Sequence, residues 1–428
     1  MAIKNFWVGV GIVMTAAALL VTQQAFAAGR VCDARSYGAK ADGATKDTKA
    51  IQAAIDDCAS KGGGIVRLSG GTFVSGPIEL KSHITFHVEK EATLLGSADA
   101  ADYPKRVIMR QPTLQGLVSA TNAEYVTITG GGTIDGAGQL WWEMARRVHD
   151  RGILGNPNPR PMLLLLDHCK HVVVENITIQ NSPFWQVVPY YSDDLVFRNL
   201  RILAPANSPN TDALDPFSSS NIKIDHLYAD VGDDNIAIKS GAINSPGPDA
   251  PSHDILITDC EFRNGHGLSI GSELSGGAYN IHAERINFIG TKHGIRIKSN
   301  RDRGNKVENV SYKDITMKDV GNAFVITEYY PKLLPEGAVP SVPMARLTPR
   351  FHNITVENLV VTGANWAGAV VGLPESPVEN ITFKKVHISA KKGMTLVYAN
   401  VSGEDVQVRS DDGKPMTIAD GAKANFKE

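Results

Sequence analysis

At 428 residues the chain exceeds the size of an ordinary single core, so it divides into domains unless repeated units stack on one another. Its 43 basic and 45 acidic side chains nearly cancel, at a formal −2, which removes the electrostatic case for nucleic acid or an acidic membrane as partner. Forty glycines and only 7% aromatics suit tight turns and thin β layers.

The first element is a leader. Lys4 supplies a positive start, Phe6 to Val21 is apolar, and Ala25-Phe26-Ala27 is a small-residue cleavage site. The apolar run is short for a membrane span. Residues 1–27 therefore read as a secretory signal peptide, with residues 28–428 as one domain outside the cytoplasm, secreted or periplasmic. That compartment permits disulfides. Cys32 and Cys58, which flank a predicted helix, form the candidate pair, and Cys169 and Cys260 read as small buried thiols.

Between Asp47 and Cys58, apolar Ile51, Ala54, Ile55 and Cys58 fall on one helical face. Asp47 or Thr48 is placed to cap this helix, and the helix to cover the open end of a stack. Gly62 to Gly64 and Gly70-Gly71 resemble a phosphate loop only superficially. No Lys-Ser or Lys-Thr follows, so they read as turn glycines.

From Glu124 the chain repeats itself. The units include His171–Ile179, Asp194–Ile202, Asn221–Tyr228, Asp254–Phe262, Asn280–Phe288, Val307–Thr316, His352–Val360 and Val378–Ile388. Most open with Asn, Asp, His or Glu at a turn, then alternate β-branched with polar residues. A second set of short apolar runs lies between them, including Asn235–Ile238, Leu268–Ile270 and Gly294–Ile297. Two or three strands per repeat with no helix between them predict an all-β, single-domain right-handed parallel β-helix, a solenoid with an N-terminal capping helix. Trp141 to Pro161, Asn244 to Pro251 and Tyr329 to Pro349 are irregular insertions of the kind that shape a binding face. Nothing after Ser402 carries a motif; it is placed to close the C-terminal end.

The chemistry sits in the second strand set. Asn210-Thr211-Asp212, Gly232-Asp233-Asp234, Gly265-His266-Gly267 and Arg296-Ile297-Lys298 recur at intervals of about one coil, on the order of 20–35 residues. Stacking at about 4.8 Å brings groups from successive coils to one groove. Asn210 and Asp212 share a strand face by spacing, as do Arg296 and Lys298. Adjacent Asp233 and Asp234 both face outward only where the chain turns, and Gly232 supplies that turn. Three clustered Asp cannot all ionise freely, so one carboxyl is expected to hold a proton near neutrality. A protonated acid beside ionised carboxylates is what hydrolysis of a glycosidic bond needs. His266, framed by glycines on an exposed turn, is placed to hydrogen-bond the acid. Arg296 and Lys298 make a clamp for a substrate carboxylate, which implies an acidic sugar.

These four motifs, in this order, resemble the polygalacturonases of glycoside hydrolase family 28, of the bacterial type. Gly131–Gly136, Asn181–Trp185 and Gly265–Ser272 extend the likeness over most of residues 28–428. The resemblance implies inverting hydrolysis of α-1,4-galacturonan, with no metal or cofactor and with pectin or polygalacturonate oligosaccharides as partner. The chain is expected to act as a monomer. Carried over, Asp233 is the general acid, Asp212 and Asp234 activate water, and His266 assists the acid. Arg296, Lys298, Asn210 and a tyrosine, Tyr330 or its neighbour Tyr329, bind substrate. Ala213 and Asn235 depart from the family pattern, which has Gly and Cys there, and bear on substrate preference. An exo-acting galacturonosidase and a rhamnogalacturonan or other modified-pectin hydrolase remain compatible. A pectate lyase would need calcium. A non-catalytic β-helical carbohydrate-binding protein would leave the carboxylate cluster without a purpose.

Overall fold

The computed structural model describes residues 29–150, 158–337 and 339–427. The leader expected over residues 1–27 lies outside them, as does Asn156 of the first insertion. Nearly every strand pairs in parallel with the strand one coil away, and the stack is a right-handed parallel β-helix, as the repeats predict. Among the described residues no helix is long and apolar enough to cross a membrane.

The repeat units form longer strands than their sequence suggests. Lys170–Gln180, Asp193–Leu203, Ser220–Val231, Ser252–Asn264, Ala278–Ile289 and Lys306–Lys318 each run as one bent strand. Each bends at a left-handed residue: His171, Asp194, Asn221, Asp254, Asn280 and Asn309, with φ between 54° and 56°. It bends again five residues on, at Asn176, Asn199, His226, Asp259, Arg285 and Asp314. Asn and Asp tolerate that conformation because their short polar side chains bond locally. The side chains also link neighbouring coils: Asn280 donates to Asp254 at 2.9 Å and Asn309 to Asn280 at 3.3 Å.

Inside the coil, register aligns Phe197, Ile224, Ile257, Ala283, Tyr312 and Val356 in one column. All are buried, and the small Ala283 makes room for Tyr312 in the next coil. A second sheet supplies the groove. It stacks Leu164–Asp167 and Val187–Tyr190, bridges through Leu214 and Phe217 to Ile236–Ser240, and continues through Leu268–Leu274, His293–Lys298 and Asn322–Thr327.

The predicted helix spans Thr48–Ser60 and buries Ile51, Ala54, Ile55 and Cys58 over the N-terminal end. Neither expected cap serves it. Asp47 occupies the cap position, yet its carboxylate accepts from the amides of Lys40 and Ala41 at 2.7 and 2.9 Å, and Thr48 accepts from Gly76 at 2.8 Å. The side chains tie the helix to adjoining turns instead. Cys32 and Cys58 are both buried and free, not the expected pair. The Cys58 sulfur turns toward the Gly63 and Ile65 carbonyls, 3.9 Å from each. Cys169 and Cys260 are buried free thiols, as read.

Two elements escape the sequence pattern. The first insertion begins as a helix, Gln139–Asp150, whose adjacent Trp141 and Trp142 blur the helical period. Upstream, Lys105–Ile108 and Gln111–Leu114 form an antiparallel hairpin. Its turn places Met109 and Arg110, not Asn-Gly, at φ 54° and 61°. After Ser402 the strands ending at Ser410, Ala419 and Lys427 continue the stack to its C-terminal end.

Glu328 is buried beneath the last insertion. One carboxyl oxygen accepts from the Leu373 amide at 2.9 Å, the other has no partner, and burial pushes its pKa well above 4.5. The folded state thus prefers the protonated form more than the unfolded chain does. Its cost is absent below the unfolded pKa and grows as pH rises toward the folded one. Glu328→Gln is expected to gain stability over the parent at pH 7 and to match it near pH 4. Urea unfolding at both pH values checks this, and an equal gain at both would contradict it.

Candidate active site

The loop before each outward-facing strand delivers the acids. Asn210, Thr211 and Asp212 lie in a turn rather than on a strand, because the coil here is held only by isolated bridges. Asn210 sits at the exposed rim in the left-handed region, its side-chain oxygen accepting from Arg160 at 2.7 Å. Asp212 is buried in the floor, and Gly232 lets the next turn come close to it. A Cβ at Gly232 would stand 2.2 Å from the Ser208 carbonyl oxygen. Close approach, not a positive φ, is what requires glycine here.

Asp233 and Asp234 diverge from that turn. Asp233 meets His266 Nδ1 at 2.9 Å. Asp234 is buried against both cations: Lys298 Nζ donates to it at 2.9 Å, the Arg296 guanidinium also donates, and Ser269 adds a bond at 2.9 Å. Arg296 and Lys298 do share one strand face, and both are buried. Asn235 joins two motifs. Its side-chain oxygen accepts from the Gly267 amide at 2.9 Å, so the turn bearing the acids is pinned to the turn bearing His266. His266 is therefore half-buried and held, its ring edge-on to His293 at 5.8 Å, rather than loose on an exposed turn.

Tyr330 is the tyrosine of the groove, with Lys298 Nζ 5.2 Å from its ring centroid. Tyr329 packs instead against Ala369, Val371 and Val397. All the predicted residues thus converge, Asn210 at the rim and the rest along one groove.

The proton affinities separate. Burial, then the charges of Asp215 and Asp233, raise Asp212 well above the usual carboxylate range, and Asp215 rises likewise. Burial is the largest push on Asp233 and raises it, but the hydrogen bond and charge of His266, with the charge of Lys298, together leave its pKa lowered. Asp234 is lowered strongly, because Arg296 and Lys298 overcome its burial. Clustering does raise a carboxyl, as expected, and the rise falls on Asp212 and Asp215.

The sequence profile of the glycosyl hydrolases family 28 matches residues 62–406, a span that contains every motif above. The chain belongs to that family. A probable polygalacturonase of Vitis vinifera is 32% identical over 375 residues, covering 83% of this chain and 74% of that protein. An endo-polygalacturonase of Pectobacterium carotovorum is also 32% identical, over 369 residues, with 82% and 86% covered. Plant and bacterial relatives match alike, so the likeness does not single out a bacterial type. Among solved structures, an exopolygalacturonase from Thermotoga maritima superposes with a TM-score of 0.77 at 27% identity, covering 89% of this chain and 92% of that one.

This family 28 groove holds further charged residues that the motifs do not announce. Asp215 lies three residues past Asp212, with both carboxyl oxygens buried and unpartnered. Lys239, buried at the end of strand Ile236–Ser240, faces Glu273 at 3.5 Å and lies 5.1 Å from the Trp185 ring. Alternation along Ile236-Ala237-Ile238-Lys239 puts Lys239 outward and was the one available signal. Arg160, by contrast, is brought in by a long insertion, and no local pattern marks it.

Acidic oxygens of Asp233 and Asp234 and a ring nitrogen of His266 lie within 4.8 Å of one another, a spacing that suits a cation. Asp234 already answers two fixed protein cations and a hydroxyl, so a divalent ion would have to compete with them. Arg296→Met leaves Asp234 half-compensated in the interior and is expected to cost about 3–5 kcal/mol of stability. Denaturant unfolding at pH 7 measures it; a loss below about 1 kcal/mol, the worth of a surface pair, would contradict the buried geometry.

Proposed function

We propose that the protein is a polygalacturonase that hydrolyses α-1,4-galacturonosidic bonds of pectin, or homogalacturonan, with inversion. One observation carries the reading: a single groove holds carboxylates of opposed proton affinity beside two buried cations. Asp233, braced by His266, donates a proton to the leaving oxygen. Asp212 and Asp234 orient and deprotonate the attacking water. Arg296 and Lys298, with Tyr330 beside them, receive the carboxylate of a galacturonate unit, and Asn210 contacts the sugar from the rim. The named relatives support this substrate class and include both endo- and exo-acting enzymes.

The raised affinity of Asp212 favours a second assignment, in which Asp212 donates and Asp233 assists water. The coupled carboxylates share protons as a set, so activity must separate the roles. Asp233→Asn is expected to lower reducing-sugar release from polygalacturonate at least about 100-fold while the protein stays folded. An aryl galacturonide whose leaving group needs no proton should recover much of that loss, and Asp212→Asn should show no such recovery. The reverse pattern moves the acid role to Asp212. Full activity of both variants would refute the proposal. Inversion is read by the anomer first released, and side-by-side rates on homogalacturonan and rhamnogalacturonan read the backbone. The proposal includes export as a monomer after cleavage near Ala28, which the mass of the mature chain tests.

A further inference from the structure

The groove is roofed at one end. Leu165 and Val188 face outward from the grooved sheet, yet both are buried, in a cluster with Met162. Ile108 and Met109 pack onto that cluster. They come from the antiparallel hairpin Lys105–Leu114, which enters ahead of the strand edge at Val118. Its tip crosses the sheet to the opposite edge, where Arg110 bonds Asp249 at 3.0 Å in the loop that follows Ile236–Ser240. Asp249 is itself held by Ser275 at 2.8 Å, and Arg346 of the last insertion donates to the Ser245 carbonyl of the same loop. Three segments far apart in sequence are cross-linked into one wall.

The wall stands one coil from the acids. Val187 bridges Leu214, so roofed Val188 lies beside Asp215, and Gln186 donates its amide to the Asp212 carbonyl at 2.9 Å. The roofed coil is thus the immediate neighbour of the coil that carries Asp212 and Asp215, about one interstrand spacing, ~4.8 Å, away, so a polymer running past the acids in this direction meets the roof.

A second, independent observation lies at the same end. Both side-chain polar atoms of Gln186, both carboxyl oxygens of Asp215 and Oδ1 of Asp212 are buried without a partner. Buried polar groups are nearly always bonded, and each one left alone is costly. Gln186 falls in the column of core Leu163 and Ala213, whereas the three carboxylate orphans lie on the coil beside roofed Val188. They match the hydroxyls of a sugar, including the terminal hydroxyl that an internal unit has lost to its glycosidic link.

We propose that this end is a blind pocket for the terminal sugar, and that the protein cleaves its polymer from the end rather than internally. The inference rests on the hydrolase reading above. The reaction stays balanced: the glycosidic bond breaks, water gives its hydroxyl to the anomeric carbon, and a proton goes to the leaving oxygen.

Product sizing on long polygalacturonate, run alongside viscometry, tests it. Monomer or dimer should be the sole early product, with reducing ends accumulating well before viscosity falls. Early mid-length fragments would overturn the blind pocket and leave the hydrolase reading standing. No product of any size would refute both. Replacing Lys105–Leu114 with a short Gly-Ser link should release mid-length fragments, and a folded variant that still yields only monomer or dimer overturns the roof. If that variant does not fold, Arg110→Ala decides. Freeing the tip should let mid-length fragments appear, and an unchanged product profile counts against the proposal.

Discussion

A carboxylate taken out of water must be neutralised where it stands, and the buried Asp234 is the charge on which this groove depends. Asp234 leads into Ile236–Ser240, and its partners arrive from the next two strands: Ser269 from Leu268–Leu274, and Arg296 and Lys298 from His293–Lys298. The triad forms only if neighbouring coils keep register, because a slip of one residue turns every outward side chain inward. Register is set elsewhere, by the left-handed Asn and Asp residues and the core columns of the opposite face. The scaffold and the chemistry are thus one problem: the column that seats Phe197 beneath Ile224 also keeps Arg296 beside Ser269.

That dependence explains how proton affinities differ among acids only a few ångström apart. Asp212 and Asp215 are buried without a hydrogen-bond donor on their orphaned oxygens, so burial and mutual repulsion decide, and their pKa values rise. Asp234 is as deeply buried but lies between two cations, so it stays ionised. Asp233, with His266 at 2.9 Å, lies between these extremes. Lys239 and Glu273 add a second buried ion pair on the same face.

Much of this was legible in the sequence because repetition is periodic. The turn-opening Asn, Asp and His residues, the alternating strands and the four motifs give the solenoid and its site directly. The pattern fails wherever a residue's role is fixed by something non-local. Asp47 looks like a helix cap and is drawn to the amides of Lys40 and Ala41. Cys32 and Cys58 flank the helix as expected, yet both stay buried free thiols. Tyr329 and Tyr330 are indistinguishable by neighbourhood, and only the fold sends one to an apolar cluster and the other to Lys298. The hairpin at 105–114 carries no turn signature, since Met109 and Arg110 are unusual residues for left-handed positions.

Such failures concentrate in the insertions for a physical reason. A helix of identical coils repeats the same interstrand spacing along its whole length, so by itself it offers a groove open at both ends. Nothing in the period distinguishes one direction from the other. Any asymmetry, and with it any preference for the end of a polymer over its middle, has to be built by segments that break the repeat. Arg110 meeting Asp249 across the sheet is such a break, joining residues 139 positions apart. Selection on substrate shape therefore acts on loops whose sequence reports little until the coils bring them together, whereas selection on the chemistry acts on motifs fixed by the coil.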